Sequence, residues 1–329
     1  MYFLSELRAI LTALLVAGII AGLIGCSSEN GAPSDSQAIK WGGPKNIAML
    51  PIIAQNKRLF EKHQLQAGFS YLQTGKMTLD AVMRGEIDFG VIVEATLAVA
   101  AFQPDLGIKV IAINQEKLDD AIVARRDSNI NVAADMRGKL LGVTHGTSAQ
   151  MYAFKFLKVN GIDPARVNIV DLSPPAIVAA LNNGDIDAGS VWQPYRHKLN
   201  QQLGDNAVNF TNGGIYRGYA IIAVKEGFLT ENPDQVNRFL SALKEAERYI
   251  RENRQESVGI IAKAMDIDAK LLDSLWGEYK VELSMTPELV SAMRDEGNWI
   301  IDNSDEFKSK SLPDYQKLID ETVLQDLFP

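Results

Sequence analysis

Three adjacent residues, Gly146, Thr147 and Ser148, have the types and spacing of an anion-binding helix start. They stand immediately before a predicted helix over residues 149–159, whose first backbone N–H groups have no partner within the helix. A helix N-terminus also carries partial positive charge, which suits the oxygens of a sulfonate, a carboxylate or a nitrate. The glycine lets the backbone approach a ligand closely. The same residues could instead be an ordinary helix cap, and the residues alone leave both interpretations open.

Four further side chains are candidates for the same pocket. Thr74 opens another loop before a predicted helix and could add a hydroxyl, or it could be only a turn residue. Trp192 could form a wall for an apolar ligand tail, or belong to a core. Glu94 would repel an anion but could bind the amine of a zwitterion such as taurine, or only favour a helix N-terminus. Arg217 could pair with an anion, although a solvated surface arginine is the simpler interpretation.

The remaining reactive residues do not form a catalytic or metal-binding pattern. The three histidines are His63, His145 and His197, and no cluster of histidine, cysteine and aspartate has metal-ligand spacing. No glycine-rich loop of the P-loop or dinucleotide type is present. The formal net charge of −8 argues against nucleic-acid binding, which requires a basic face. The sequence therefore predicts a binding protein, not an enzyme, with no metal, cofactor or nucleic-acid partner.

The elements that must position these residues are suggested by a motif that occurs twice. Residues 81–90 and 180–189 share a glycine followed by an acidic residue, an isoleucine and an aspartate. The offset of 99 positions between the two copies is much longer than the 20–50 residues of a solenoid repeat. It predicts two similar α/β units, and a cleft between two such units is a usual place to hold a small molecule.

Strands alternate with helices in both units, which predicts parallel sheets with helices on both faces. In the first unit, the pattern predicts strands over residues 46–50, 69–72 and 87–93 and helices over residues 52–62 and 77–84. In the second unit, it predicts strands over residues 140–143, 167–171 and 186–191 and helices over residues 149–159 and 175–182.

The segments between and after these units complete the predicted domain organisation. Two apolar stretches, residues 121–124 and 219–224, are interpreted as the crossings between lobes and as the hinge. The predicted lobes are then residues 40–122 for lobe 1, residues 123–220 for lobe 2 and residues 221–329 for the return to lobe 1. Helical periodicity predicts that this return carries helices packed on lobe 1, over residues 236–252, 256–263, 269–277, 287–300 and 315–326.

The N-terminus has the composition of a targeting segment and a tether. Residues 9–24 are apolar apart from one threonine, which is the length of a signal-peptide core and too short for a confident membrane span. The run ends at Cys26, the sole cysteine, in a pattern that resembles the lipobox of bacterial lipoproteins, where this sulfur carries a lipid. We therefore predict a signal peptide over residues 1–25 and a flexible tether over residues 26–39. The expected location is outside the cytoplasm, at a membrane surface.

Four short motifs resemble those of one known family. Residues 135–143 resemble its "DL(K/R)GKxVGV" strand, and residues 146–149 its "GSS" loop before a helix. Residues 184–195 resemble its "GxVDA…VWxPY" segment, and residues 59–65 its "GLFEKEGL" segment. These motifs are similar to those of the substrate-binding proteins of ABC importers in the nitrate/sulfonate/taurine group. The resemblance covers roughly residues 47–195.

The resemblance implies a fold, a function and partners. The implied fold is the two-lobed type II fold of periplasmic binding proteins, with a mostly parallel sheet in each lobe. The implied function is to close on a small organic anion or zwitterion, as a monomer, and to deliver it to a permease served by a separate ATPase. The expected ligand-binding residues are Thr74, Glu94, Gly146, Thr147, Ser148, Trp192 and Arg217.

Three alternatives remain open at this stage. The ligand could be an uncharged heterocycle, such as a thiamine or flavin precursor. The chain could be an enzyme on the same fold that acts on a pyrimidine or a quinone precursor. It could also be a tethered sensor that signals to a receptor rather than to a permease.

Overall fold

Two β-sheets organise residues 37–328, which are the residues that the computed structural model describes. The first sheet forms lobe 1 and the second forms lobe 2. The strands of lobe 1 are β1 (Gln37–Gly43), β2 (Leu65–Tyr71), β3 (Phe89–Val93), β4 (Ile108–Lys117), β10 (Gly218–Lys225) and β11 (Tyr279–Lys280). The strands of lobe 2 are β5 (Ala121–Arg125), β6 (Leu140–Val143), β7 (Asn168–Asp171), β8 (Ala188–Val191) and β9 (Ala207–Thr211).

Both sheets are mixed. Lobe 1 has the strand order β11-β4-β10-β3-β1-β2, in which β1 lies parallel to β2 and β3 while β10 runs antiparallel to β3 and β4. Lobe 2 has the order β7-β6-β8-β5-β9, in which β6 lies parallel to β7 and β8 while β5 runs antiparallel to β8 and β9. The two-lobed α/β fold is confirmed, whereas the expectation of a mostly parallel sheet in each lobe is wrong, because antiparallel pairings are at least as many as parallel ones in both sheets. Each lobe combines a parallel part, built by strand-helix-strand units, with an antiparallel part built by the chain that arrives from or leaves for the other lobe.

Helices flank both sheets. Lobe 2 contains α5 (Ser148–Val159), α6 (Pro174–Asn183) and α7 (Tyr195–Leu203). The helices in the first part of lobe 1 are α1 (Met49–Asn56), α2 (Leu59–Lys62), α3 (Gly75–Arg84) and α4 (Glu94–Ala100). Those in its second part are α8 (Glu226–Glu231), α9 (Pro233–Glu252), α10 (Arg254–Met265), α11 (Ala269–Ser274), α12 (Pro287–Asn303) and α13 (Thr322–Leu327).

The repeated motif has the same structural role in both lobes. Gly85 ends α3 and Gly184 ends α6, each in the left-handed conformation that glycine adopts without strain (φ of 73° and 84°). The aspartate three residues after each glycine then accepts a hydrogen bond from the backbone of a neighbouring strand. Asp88 Oδ2 accepts a hydrogen bond from Lys40 N in β1 (2.7 Å), and Asp187 Oδ2 accepts one from Leu140 N in β6 (2.9 Å). Both aspartates therefore have a structural role.

The first predicted strand is wrong. Residues 46–50 form a short 3-10 turn (Lys45–Ile47) and the start of α1, and the strand of this unit is β1. The final residues of the predicted tether, 37–39, therefore belong to the sheet. The error has a physical cause, because α1 is buried from Met49 to Ala54 and an apolar segment buried all round has no period that separates helix from strand. Pro51 lies within the first turn of this helix, where its missing N–H has no intrahelical acceptor to lose.

The predicted crossings are central strands. Residues 121–124 lie in β5 and residues 219–224 in β10, and each strand has neighbours on both sides in its sheet. The chain passes between lobes just beside them, at residues 118–120 and 212–217. Strong apolar character marks these strands because they are buried on both faces, whereas the crossings themselves are short and mix polar with apolar residues.

The second part of lobe 1 largely follows the helical pattern of the sequence. In α9 the buried stripe includes Val236, Phe239 and Leu243, and the Phe239 ring stacks between Phe60 and Phe89, with centroid distances of 5.3 and 3.9 Å. The last predicted helix is interrupted, because residues 315–326 form a 3-10 turn (Tyr315–Leu318) followed by α13. Among the described residues, no helix has the length and apolar character needed to cross a membrane. The predicted signal peptide and Cys26 lie outside the described residues.

Candidate functional site

A small cavity lies between the two lobes. Its volume is about 20 Å³, which is room for about one water molecule, so a larger solute can enter only when the lobes move apart. Both lobes contribute to its walls. The lining residues are Pro44, Asn46, Ile47, Gly75, Val93 and Lys117 from lobe 1, and Thr147, Ser148 and Trp192 from lobe 2.

The N-terminus of α5 forms the lobe 2 wall of this cavity. Thr147 is the N-cap residue, with an extended backbone, and its Oγ1 donates to the carbonyl oxygen of Thr144 (2.7 Å). Gly146 precedes it with φ of 71°, the left-handed region that favours glycine. Because Thr147 turns its hydroxyl away from the helix, the first N–H groups of α5 can serve a ligand. This geometry suits an anion.

The serine of this loop is bonded to the chain crossing. Ser148 Oγ donates to Asp120 Oδ1 (2.9 Å), and both side chains are buried. The bond joins the start of α5 in lobe 2 to the crossing that leaves β4 of lobe 1. The predicted loop and the first crossing are therefore directly connected beside the cavity.

A buried ionic cluster at this crossing was missed by the sequence analysis. Lys117 Nζ lies 2.6 Å from Asp119 Oδ1 and 2.5 Å from Asp120 Oδ2, and all three side chains are essentially inaccessible to solvent. Asp119 Oδ2 also accepts hydrogen bonds from Gln193 N (3.2 Å) and Tyr279 OH (3.1 Å). In sequence, a lysine followed closely by two aspartates has the composition of an exposed turn. The only available signal was its position directly after the long apolar segment that forms β4.

The cluster keeps the Lys117 ammonium protonated at the cavity wall, between two carboxylates. Burial alone would lower the pKa of Lys117, but the charges of Asp119 and Asp120 outweigh it and raise that pKa above its ordinary value. Burial raises the pKa of Asp120, although the ammonium of Lys117 opposes this effect. The cavity therefore presents a fixed cation beside the N–H donors of α5, with carboxylates next to it. Such a set of groups could bind an anion, or a zwitterion whose amine reaches a carboxylate.

The other predicted residues lie at different distances from this site. Thr74 caps α3, with its Oγ1 accepting from Met77 N (3.3 Å), and its neighbour Gly75 lines the cavity. Trp192 lines the cavity while its ring packs edge-on against Tyr195, with a centroid distance of 5.9 Å. Arg217 lies outside the cavity walls, where its half-exposed side chain pairs with Glu116.

Glu94 is buried and accepts hydrogen bonds from residues at and just after the second crossing (residues 212–217). Its Oε1 lies 2.5 Å from the hydroxyl of Tyr216, and its Oε2 accepts from Tyr219 N (2.7 Å). The same hydroxyl lies 3.1 Å from Oε1 of Glu296, a buried residue of α12. Burial, followed by the mutual repulsion of the two carboxylates, raises the pKa of Glu296 well above its usual range, and burial likewise raises the pKa of Glu94. Glu94 therefore belongs to a carboxylate pair beneath the crossing, away from the cavity walls.

Side-chain contacts hold the lobes closed in this structure. Thr96 Oγ1 of α4 donates to the carbonyl oxygen of Gly146 (3.1 Å). Phe154 of α5 packs against Trp299 of α12, with ring centroids 4.2 Å apart. Arg196 of α7 pairs with Glu278, which precedes β11 (3.0 Å). Within residues 37–328, no group of three or more His, Cys, Asp or Glu side chains is arranged to hold a metal ion.

The fold and the interlobe cavity define the class of protein. The structure superposes on the crystal structure of the periplasmic aliphatic sulphonate binding protein SsuA from Escherichia coli with a TM-score of 0.73, covering 86% of this chain and 97% of that one at 19% identity. The protein therefore has the fold of the periplasmic binding proteins. Residues 46–257 match the family described as NMT1/THI5 like, and the chain belongs to this family.

Two sequence relatives extend this comparison. A putative binding protein of Brucella abortus (strain 2308) is 30% identical over 260 residues, which cover 78% of this chain and 77% of the relative. A putative aliphatic sulfonates-binding protein of Bacillus subtilis (strain 168) is 24% identical over 326 residues, 95% of each chain. Both relatives are described as binding proteins, which accords with an interlobe site built to hold a solute.

Proposed function

We propose that this protein is the extracytoplasmic solute-binding component of an ABC importer, and that it closes on a small organic anion or zwitterion of the sulfonate, taurine or nitrate type. One observation carries the proposal: the interlobe cavity is walled by the N-terminus of α5 on one side and by the buried ammonium of Lys117 on the other. The sulfonate-binding description of the Bacillus subtilis relative supports the same ligand class.

The residues around the cavity would act together on such a ligand. The N–H groups that follow Thr147 would donate to the acidic oxygens, the Ser148 hydroxyl would turn from Asp120 Oδ1 to join them, and Lys117 would balance their charge. Trp192 would pack against the organic part, and Thr74 would add a hydroxyl when the lobes rearrange around the solute. A few charge-assisted hydrogen bonds of about 1.5–3 kcal/mol each can account for micromolar affinity, which corresponds to about −8 kcal/mol.

Closure couples binding to transport in this proposal. A ligand that touches both lobes only in the closed form shifts the population towards that form. The closed form would dock on a membrane permease, and a separate ATPase would supply the energy. The chain would be exported and held at a membrane through a lipid on Cys26.

Isothermal titration calorimetry with ethanesulfonate, taurine and nitrate tests the ligand class. We expect at least one of these to bind, and Ser148→Ala to weaken it about tenfold, as the loss of one charge-assisted hydrogen bond requires. Ser173→Ala is the matched control, because Ser173 also precedes a lobe 2 helix but is exposed and lies outside the cavity walls.

Two results would contradict the proposal. Binding of a neutral pyrimidine with no binding of any anion would replace the ligand class. Mass spectrometry of the bound solute after prolonged incubation tests for catalysis, and a steady loss of solute with appearance of a product would favour an enzyme. Recovery of intact solute is the expected result.

A further inference from the structure

The loop before α5 accepts a hydrogen bond from the opposite lobe. Thr96 Oγ1, in the first turn of α4 of lobe 1, donates to the carbonyl oxygen of Gly146 in lobe 2 (3.1 Å). Other bonds of this loop stay within lobe 2, since Gly146 N donates to Gln150 Oε1 (2.8 Å) and Thr147 Oγ1 donates to the carbonyl oxygen of Thr144 (2.7 Å). The bond from Thr96 is therefore one that the loop can make only while the lobes are together.

This bond acts on the peptide group that leads into α5. The carbonyl of Gly146 and the N–H of Thr147 belong to the same planar unit, so fixing the carbonyl fixes the plane of that unit as well. A hydrogen bond to a carbonyl also polarises the peptide group and strengthens its N–H as a donor. Thr147 and Ser148 line the cavity, whereas Thr96 is not part of its walls. Thr96 can therefore align the start of α5 without touching a solute in the cavity.

Gly75 leaves the space that the Thr96 hydroxyl occupies. It is the buried first residue of α3, and a Cβ at this position would lie 2.8 Å from Thr96 Oγ1, closer than non-bonded atoms normally approach. The same Cβ would lie 3.5 Å from Thr96 Cβ, which is an ordinary contact. Only the hydroxyl therefore requires a residue without a side chain at position 75.

We infer that Thr96 is a positioning residue of the interlobe site, whose hydroxyl holds the Gly146 carbonyl in the closed form and so aligns the N–H donors of α5. This inference rests on the proposed function, since these donors are the ones assigned there to the acidic oxygens of the solute. Coupling between two equilibria is reciprocal. The bond therefore strengthens solute binding by the same factor by which the bound solute favours the bond.

Thr96→Val tests the inference, because valine has nearly the shape of threonine but no hydroxyl. We expect the affinity for ethanesulfonate, measured by calorimetry, to fall about threefold to tenfold, as the loss of one hydrogen bond requires. Stopped-flow fluorescence should place most of this change in the dissociation rate, because the bond forms only after the lobes meet around the solute. Thr96→Ser keeps the hydroxyl and should bind ethanesulfonate within about twofold of the wild type.

Thr78→Val is the matched control. Thr78 is also a buried threonine of lobe 1, but its hydroxyl donates to the carbonyl oxygen of Thr74 within its own helix start (3.0 Å). Its replacement should change the ethanesulfonate affinity less than about twofold. Equal losses in Thr78→Val and Thr96→Val would overturn the inference, because any buried hydroxyl of lobe 1 would then have the same effect.

Gly75→Ala provides a second test that leaves Thr96 in place. The added Cβ would displace the Thr96 hydroxyl, so we expect a loss of affinity similar to that of Thr96→Val. In a Thr96→Ala background there is no hydroxyl to displace, and Gly75→Ala should then cost less than about a further twofold. An equal loss in both backgrounds would show that the Cβ acts by filling the cavity, and would overturn the assigned role of Gly75 and Thr96.

The outcomes separate this inference from the proposed function. If the wild type binds ethanesulfonate and Thr96→Val binds it with the same affinity and dissociation rate, the role of Thr96 is overturned while the anion site stands. Failure of the wild type to bind ethanesulfonate, taurine or nitrate would overturn the inference together with the ligand class on which it rests. Thermal unfolding of each variant verifies that it remains folded.

Discussion

The two lobes share a strand-helix-strand plan down to individual hydrogen bonds, yet they present different chemistry to the cavity. In both, a glycine ends a helix and an aspartate three residues later binds the backbone of the adjoining strand. In both, a helix begins at the cavity with a threonine as its N-cap residue, Thr74 for α3 and Thr147 for α5. The scaffold is therefore common to both lobes, and the difference arises in the side chains at the helix starts.

The two threonines are used in opposite ways. Thr74 turns inward and accepts a hydrogen bond from Met77 N, which satisfies one of the free donors of α3. Thr147 turns away and donates to Thr144, and among the described residues no side chain caps α5. The same residue type thus closes one helix start and leaves the other available. In the proposed site, lobe 2 therefore supplies the backbone N–H donors.

Lobe 1 supplies the positive charge instead. Lys117 ends β4, and its two carboxylate partners lie on the crossing that leads into lobe 2. The lobes therefore also differ in charge, because an ionic cluster lies at the junction where lobe 1 leads into lobe 2. The largest effects should follow from disturbing this cluster.

Lys117→Met should destabilise the protein more than any other change considered. It leaves the carboxylates of Asp119 and Asp120 buried without their cation, and breaking a buried ion pair in this way costs about 3–5 kcal/mol. Urea unfolding followed by circular dichroism measures the loss. Calorimetry should show that any folded fraction no longer binds ethanesulfonate.

A compensating variant distinguishes a lost ion pair from a general packing defect. Lys117→Met combined with Asp120→Asn removes the cation and one of its two partners, so it should recover part of the stability but not the ligand binding. If the double variant is no more stable than Lys117→Met alone, the loss of stability does not come from carboxylates buried without their cation.

Because the two aspartates make the same bond in each lobe, we can test whether they contribute equally to stability. Asp88→Ala and Asp187→Ala each remove one carboxylate that binds a strand backbone, at 2.7 and 2.9 Å. We expect each to lower the free energy of unfolding by about 1–2 kcal/mol, as for the loss of one hydrogen bond to a charged group. Chemical denaturation of the two variants under identical conditions measures this. Losses that differ by more than about threefold would show that the repeat is less equivalent than its geometry indicates.

The carboxylate pair beneath the second crossing has no counterpart in lobe 2 and makes stability depend on pH. Burial raises the pKa of Glu94 and of Glu296, so the folded pair holds a proton that the unfolded chain would release. This stabilisation is complete below the unfolded pKa of a glutamate and is lost as the pH rises through the folded pKa. The effect amounts to about 1.4 kcal/mol for each unit of pKa difference.

Glu296→Gln replaces the protonated carboxyl by a neutral amide and should flatten this dependence. Its neighbours Tyr216 and Lys155 remain, with the Lys155 ammonium 5.1 Å from the Tyr216 ring centroid. We expect the variant to lose less stability than the wild type between pH 5 and pH 8, measured by urea unfolding at each pH. Glu252→Gln, at an exposed position, is the control and should keep the wild-type slope. An unchanged slope in Glu296→Gln would contradict the assignment of the proton to this pair.

The sequence predicted the features that depend on local patterns. The strand β6, the start of α5 and the helical pattern of α9 follow from residue types at fixed spacing, and the structure confirms them. Such patterns reflect interactions within one turn or one strand, so a short window of sequence contains them.

Features that depend on distant segments were not predicted. The partners of Lys117 become visible only when β4 is known to run to the cleft and the crossing is known to be buried. The position of Glu94 at the start of α4 suggests a local role, but its carboxylate is bonded to Tyr216, which is 122 positions away. The apolar strands β5 and β10 were interpreted as crossings because an apolar run predicts an extended, buried segment but not whether that segment lies within a sheet or passes between lobes.

The comparison of the two threonines leads to the smallest expected effect. Thr74→Ala removes an N-cap side chain and should lower the free energy of unfolding by about 1 kcal/mol. Thr147→Ala, its matched variant, removes a hydrogen bond to Thr144 and should cost a similar amount. Their effects on ligand binding should differ, because the bond from Thr147 Oγ1 to Thr144 O fixes the helix start whose backbone N–H groups would face the solute, whereas Thr74 bonds within its own helix start. Calorimetry with ethanesulfonate should therefore show the larger loss of affinity for Thr147→Ala, whereas equal losses would mean that both helix starts serve the ligand and that the lobes are more alike in function than their hydrogen bonds suggest.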